Sequence, residues 1–525
     1  MSENNIPTPQ KWLIVFLIYA DFTDDPKDIQ SDIFLGIDNL FEDILTTPIH
    51  PKLCRVCVMM DSASYHNGAG GVYIKNTICL YEIDPTEQAL ADRIKSKTIV
   101  FESDQALPGN DTSTRPQRHL YQSAGSLGEI LSNIKILDGE EILFVTWDHG
   151  AGFGIFPDDT EEQPRDADTT PTILEDVLKS RQFLSIFWNH AATCSLSQDF
   201  LKAYQTNNQL KIPDILDNSE LAEALFKWLF GYNNERVGVL LMMNCWMMNL
   251  HTIYALKKVV TCLVAAQTQI GNPGYDYPEI IRFICSQNYT AVTPEQLAIR
   301  CADSRNEDHF RQRALKIGIA KEDLQDAIDD CIVIPMNLQA KGSILPRRVD
   351  EQFEALETLI NVLFQIVESE LKSAASSDKP ISDLLWYTRP LALDLTKGDV
   401  YLIDIHSYFT VFSSVLNNAH RLPATGQLKI NAMNQLIIEL NNYLDTYKSN
   451  GNNEKIILGQ WEARSKLKYF INRQADYIPP RPTGSALYFN NPATQDGKTG
   501  YNIKVDKLLS GISKWIEILE LLYKR

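Results

Sequence analysis

A histidine and a cysteine each stand just past an apolar run: His149-Gly150 follow Ile142 to Trp147, and Cys245 follows Val237 to Met243. If both runs are strands of one parallel sheet, their carboxyl ends share the edge where open α/β sheets bind ligands. A thiol with an ordinary pKa near ~8.5 already attacks carbonyl carbon well, but its leaving group needs a proton. Histidine, titrating near about 6.5, can take and return that proton at neutral pH. The backbone N–H groups of Gly150 and Cys245 are candidates for an oxyanion hole, since glycine lets a substrate approach closely. The chemistry on offer is nucleophilic acyl transfer.

The flanking sequence supplies elements to position the pair. Lys11 to Ala20 reads as a buried strand, Ile33 to Leu45 as an apolar-periodic helix, and Arg55 to Asp61 and Thr77 to Ile83 as strands around an Asn67 to Gly71 turn. Leu120 to Ile136 is a candidate helix leading into the strand Glu141 to Trp147. Thr172 to Leu184 and Ser219 to Phe230 read as helices. Tyr254 to Val259 continues as helix beyond Val237 to Met243, and Cys262 to Ala266 is a further strand. Strands alternating with helices imply a mainly parallel sheet with helices on both faces. Past about residue 345 the pattern turns helical, with amphipathic stretches at Glu351 to Leu371, Asn431 to Tyr447 and Val505 to Tyr523 and a short strand at Ser485 to Phe489. Two units are expected, 1–345 and 346–525.

Composition narrows the function classes. The 525 residues are 44% hydrophobic and 22% charged, ordinary for a folded α/β protein. With 67 acidic against 49 basic side chains the formal charge is -18, which disfavours nucleic acid and anionic membrane as partners. Asn244, Asn249, His251, Lys257 and Lys258 interrupt the longest apolar zone, so no membrane span is expected. The start carries no basic leader region, and a cytoplasmic protein is expected. Nine cysteines without repeated spacing do not form a disulfide framework. Cys54 and Cys57 form one CxxC inside a strand-like run, with no second pair to complete a metal site, and read as buried structural thiols; thiol redox through the two is the competing reading. The acidic loop Asp158 to Asp168 lacks the spacing of a calcium loop, so no metal or cofactor is expected and calcium has no motif behind it.

Trp147-Asp148-His149-Gly150-Ala151-Gly152 resembles the Trp-Asp-His-Gly-Gly-Gly block of the clostripain family of caspase-like cysteine peptidases, and Met243-Asn244-Cys245-Trp246-Met247 resembles its Asp-Ala-Cys-Leu-Met block. Further similar segments follow the family's order: Lys11 to Val15 with Tyr19-Ala20-Asp21, Cys262 to Ala266 leading to Pro273-Gly274-Tyr275-Asp276-Tyr277, and Thr483 to Phe489. The resemblance implies a caspase-like αβα sandwich with a C-terminal extension and a His149–Cys245 catalytic dyad that hydrolyses peptide bonds. Several members cut themselves between the two residues. Here that interval holds Arg165, Lys179, Arg181, Lys202, Lys211, Lys227 and Arg236.

Departures from the family pattern bear on substrate choice. Met243 replaces the aspartate that goes with cleavage after basic residues, and Gln267, Thr268 and Gln269 stand where acidic residues are expected. A specificity pocket walled by Met243, Gln267 and Gln269 is expected to favour an uncharged residue before the scissile bond, because a buried cation without a carboxylate partner costs several kcal/mol. His251 is expected to be structural, Asp148 to orient its loop, and Asp404 and His406 to serve the fold. The implied partner is a protein or peptide substrate, and a regulatory protein partner is compatible with intracellular proteolysis. Caspase-like proteases of bacterial defence or cell death are one such setting, by analogy only. A catalytically silent caspase-like scaffold that binds a partner peptide is the alternative.

Overall fold

The computed structural model describes residues 11–19, 40–62, 77–99, 124–147, 150, 154–155, 216–232, 234, 236–268, 270, 274–286, 291–304, 331–338, 348–372, 380–388, 402–419, 427–446, 461–462, 486–488 and 513–523. The turn at 67–71, the acidic loop 158–168 and the helix expected at 172–184 lie outside them.

Nine strands form one sheet. They are β1 (Lys11–Tyr19), β2 (Cys54–Ser62), β3 (Thr77–Ile83), β4 (Ile94–Ile99), β5 (Glu140–Trp147), β8 (Val237–Met243), β9 (Val260–Ala266), β10 (Ile332–Asn337) and β12 (Trp461–Glu462), in the order β12-β10-β9-β8-β5-β1-β2-β3-β4. The five central strands, β9 to β2, are parallel, and the outer ones are antiparallel. A two-stranded ribbon pairs β6 (Gly154–Ile155) with β7 (Leu216–Asp217). Strands β5, β8 and β9 are buried at every position, which is why they read as continuous apolar runs and not as alternating ones.

Helices cover both faces of the sheet. The first five are α1 (Ala124–Leu131), α2 (Asn218–Phe230), α3 (Leu250–Leu256), α4 (Tyr277–Ser286) and α5 (Pro294–Asp303). Phe144 of β5 packs at a tilt against Trp228 of α2 at 5.9 Å, while Phe16 of β1 meets Tyr277 of α4 edge-on at 5.2 Å. In register, Val15 pairs with Phe144 and Phe16 with Val145, so Phe144 and Phe16 point to opposite faces. Thus α2 and α4 sit on opposite sides, and the chain is the αβα sandwich with a mainly parallel sheet that the resemblance implied. Among the described residues no helix is long and apolar enough to cross a membrane.

The chain beyond 345 supplies α6 (Arg348–Lys372), α7 (Pro380–Thr388), α8 (Ile405–Ala419), α9 (Gln427–Asp445) and α10 (Ser513–Tyr523), with β11 (Leu402–Asp404) and β13 (Ala486–Tyr488) paired antiparallel. Its core sets the rings of Tyr408, Phe409 and Trp515 edge-on to one another with centroids about 5 to 6 Å apart. It also meets the main sheet directly. Val333 of β10 pairs with Trp461, and Lys257 forms an ion pair with Asp350.

Glu140 anchors the amino end of β5. Its buried carboxylate accepts from Arg55 at 2.9 and 3.2 Å and from the Leu137 N–H at 2.9 Å, with Lys11 3.4 Å away. Glu140→Ala leaves the Arg55 guanidinium with the Lys135 carbonyl but no carboxylate and removes the acceptor of the Leu137 N–H, and is expected to lower unfolding free energy by about 2 to 3 kcal/mol in a urea titration.

Candidate active site

The last paired rung between the two central strands carries the geometry. β5 and β8 are parallel neighbours in which Trp147 pairs with Met243, so His149 and Cys245 each stand two residues past the same rung. Asp148 and His149 lie outside the described residues, but the residues on either side of them are described. Trp147 ends β5, and Gly150 is buried and bridges Ile155 of β6. Gly150 also presses on the Asn244–Cys245 segment. A Cβ there would lie 2.7 Å from the Cys245 carbonyl oxygen, 2.8 Å from Asn244 Cβ and 3.0 Å from the Cys245 nitrogen. Only glycine permits that approach without displacing backbone.

Cys245 is buried, with its sulfur held by the residue-270 backbone: the Ile270 N–H donates to Sγ at 3.4 Å, and the thiol lies 3.8 Å from the Ile270 carbonyl oxygen. The next residue, Trp246, adopts φ 58, a left-handed conformation that costs a non-glycine residue about 1 kcal/mol or more. Hydrogen bonds offset it, from Trp246 N–H to the Thr268 carbonyl at 2.9 Å and from Met248 N–H to the Ala266 carbonyl at 2.8 Å. After β8 the chain therefore turns sharply and runs beside the end of β9, which presents Cys245 to Ile270.

Met243 lies under the segment that follows β9. Its sulfur accepts from Tyr277 Oη at 3.5 Å, and Gly274, at φ 77, leaves room for it where a Cβ would approach to 2.5 Å. Tyr275 Oη donates to the Met242 carbonyl at 3.3 Å, so both tyrosines clamp the carboxyl end of β8. Gln267 is fully buried and donates to Asp404 Oδ2 at 3.1 Å, while Oδ1 of the same carboxylate accepts from the Ser407 N–H at 2.9 Å at the start of α8. Asp404 thus ties the sheet edge to the C-terminal helices, a fold role. Gln269 lies outside the described residues.

His251 sits on α3, its Nδ1 3.0 Å from the Asn218 amide nitrogen, which also donates to Thr252 at 2.9 Å. That amide donor leaves Nδ1 to accept, so the ring is a structural link between α2 and α3. Helix α3 starts at Leu250, ahead of the stretch read as helix from sequence, because Asn249 caps it by accepting from the Thr252 N–H. His406 is partly buried on α8, and that burial pushes its pKa down. Sequence reasoning missed Ile270 and Asn218. Ile270 acts through its backbone, which leaves no trace in residue type; Asn218 stands one residue ahead of the stretch read as helix from sequence. Among the described residues no group of three or more His, Cys, Asp or Glu is placed to hold a metal.

A model of the clostripain family of peptidases matches residues 166–321, a stretch that contains Cys245. That stretch belongs to the clostripain family. His149 precedes the matched clostripain segment by 17 residues, 166 less 149. No curated protein sequence matches the chain. Among solved structures, the chain is similar to a secreted C11 cysteine protease from Bacteroides thetaiotaomicron in complex with an irreversible peptide inhibitor, at 11% identity over 95% of this chain and 98% of that one, TM-score 0.45. An inactive zymogen C11 protease from Parabacteroides distasonis is similar at 13% identity over 96% and 98%, TM-score 0.43. The clostripain match identifies the chain as a cysteine endopeptidase, a hydrolase whose substrates are proteins.

Proposed function

We propose that the chain hydrolyses peptide bonds of a protein partner through Cys245 as nucleophile and His149 as proton carrier, with the Gly150 and Cys245 N–H groups receiving the oxyanion. The observation that carries this reading is the shared rung Trp147–Met243 together with the packing of Gly150 on the Cys245 backbone. Covalent geometry keeps residue 149 within one Cα step, about 3.8 Å, of Gly150. In this mechanism the Cys245 sulfur attacks the carbonyl carbon, and the imidazole protonates the departing amine. Water, deprotonated by the same ring, then releases the acyl group. A cytoplasmic setting is part of the proposal, and the buried thiols of Cys57, Cys262 and Cys301 suit a reducing compartment. Self-cleavage between residues 149 and 245 is also part of it, and intact mass of the chain beside its Cys245→Ala variant tests that point.

Met243 supports an uncharged residue before the scissile bond. Its thioether fills the space between β8 and Gly274 and brings no charge to meet a substrate cation. In a peptide library, turnover after Lys or Arg is expected to fall about 100-fold below that after the best uncharged residue. Dominant cleavage after Lys or Arg would overturn the assignment.

Burial of the Cys245 thiol beside Ile270 favours a second reading, a peptide-binding scaffold without turnover. A thiol-reactive peptide probe separates the two: labelling that disappears in Cys245→Ala supports the peptidase, and no labelling supports the scaffold.

A further inference from the structure

Cys54 was singled out in sequence with Cys57, yet its neighbour in space is Cys285. Cys54 opens β2 and Cys285 is the last residue but one of α4. Cys57, an odd number of residues further along the strand, points to the opposite face, where burial pushes its thiol up to about 12. The turn before β2 shapes the place. The N–H groups of Leu53 and Cys54 both donate to the His50 carbonyl at 2.9 Å, which leaves the His50 N–H to donate to Cys285 Sγ at 3.4 Å. The same turn sets the buried Cys54 thiol beside that sulfur, where it acts as a donor toward it.

The two thiols are therefore unlike. Cys285 is half-buried and within reach of solvent, and the hydrogen bonds from Cys54 and His50 bring its pKa down to about 7 against the opposing effect of burial. Cys54 stays protonated, held well above the usual range by its bond to Cys285 and by burial, with Glu140 raising it further and Lys11 opposing. A partly exposed thiolate beside a buried protonated thiol is the division of labour of an attacking and a resolving cysteine.

We propose that Cys54 and Cys285 form a reversible redox pair, a modification site at which a hydroperoxide-class oxidant joins the two sulfurs. The Cys285 thiolate attacks one peroxide oxygen, the O–O bond breaks, and the leaving alkoxide or hydroxide departs with a proton from solvent as alcohol or water. The Cys54 sulfur then attacks the resulting sulfenic sulfur, and the S–OH bond breaks. The hydroxide takes the Cys54 proton and leaves as water. Two electrons pass from the two thiols to the peroxide, and a dithiol reductant reverses the change. The bond fastens the far end of the helix whose first residue, Tyr277, touches Met243.

The test uses the full chain carrying Cys245→Ala, so that the proposed nucleophile does not compete for oxidant. It is treated with hydrogen peroxide near stoichiometry, alkylated, and digested for mass spectrometry. A peptide joining Cys54 to Cys285 is expected as the main oxidised species, reversed by dithiothreitol and absent in Cys285→Ser. In Cys54→Ala the sulfenic acid is expected to persist at Cys285 and to be trapped by dimedone. Cys54 linked to another cysteine, or Cys285 driven to sulfinic acid while Cys54 stays alkylated, would overturn the proposal. The cross-link map of the parent chain needs no further variant to fold, and its outcome is independent of peptidase activity.

Discussion

Replacing Cys245 with alanine is expected to lower kcat/KM for peptide hydrolysis by about 10⁴-fold or more, because it removes the sulfur that attacks the carbonyl carbon in the proposed mechanism. What remains would come from binding and the oxyanion donors alone, the usual residue of activity when a nucleophile is deleted. The fold should survive the change. The lost atom gives up two weak sulfur contacts with the Ile270 backbone, while the turn at Trp246 keeps its hydrogen bonds to Thr268 and Ala266 through backbone groups. The measurement is steady-state hydrolysis of a peptide identified by library profiling, alongside circular dichroism of both forms. A folded Cys245→Ala chain that retains more than a few per cent of activity would remove Cys245 from the mechanism.

The strands were legible because a parallel strand buried on both faces cannot hide its composition. Val237 to Met243 carries no polar side chain, and it is the strand the sequence delimits at both ends. Which strand lies beside which was not legible, since strand pairing depends on residues far apart in the chain. The adjacency of β5 and β8, on which the site depends, came from the order of crossovers and not from either strand. The proposed nucleophile and its partner histidine were read from residue types near strand ends. By contrast, Ile270 contributes only a peptide N–H and C=O, and Gly274 only the absence of a Cβ beside Met243. Cys54 illustrates the same limit. Its CxxC spacing pointed along the strand to Cys57, whereas the pleat sends those two side chains apart and the partner is Cys285, on a helix that follows the sheet's fifth parallel strand.

Gly150→Ala is expected to cost about 100-fold in kcat/KM with a much smaller loss of stability, on the order of 1 to 3 kcal/mol. The added methyl would lie within 3.0 Å of three atoms of the Asn244–Cys245 segment, two of which are backbone and cannot rotate away. Relief must come from movement of either the 150 strand bridge or the start of the sharp turn at Trp246. Bulk elsewhere at the edge of a core is commonly absorbed by a side chain changing rotamer; here there is none to change. Because residue 149 is covalently next to Gly150, any such shift alters the distance between imidazole and sulfur directly, and displacement of about 1 Å suffices for a loss of this size. A structural defect alone would reduce soluble, folded protein and leave turnover per folded chain unchanged. The deciding readout is therefore kcat/KM normalised to the fraction that binds a thiol-reactive peptide probe, with Gly150→Val expected to be worse than Gly150→Ala. Wild-type turnover per labelled site in Gly150→Ala would show that the close packing of residue 150 on Cys245 is not what aligns the dyad.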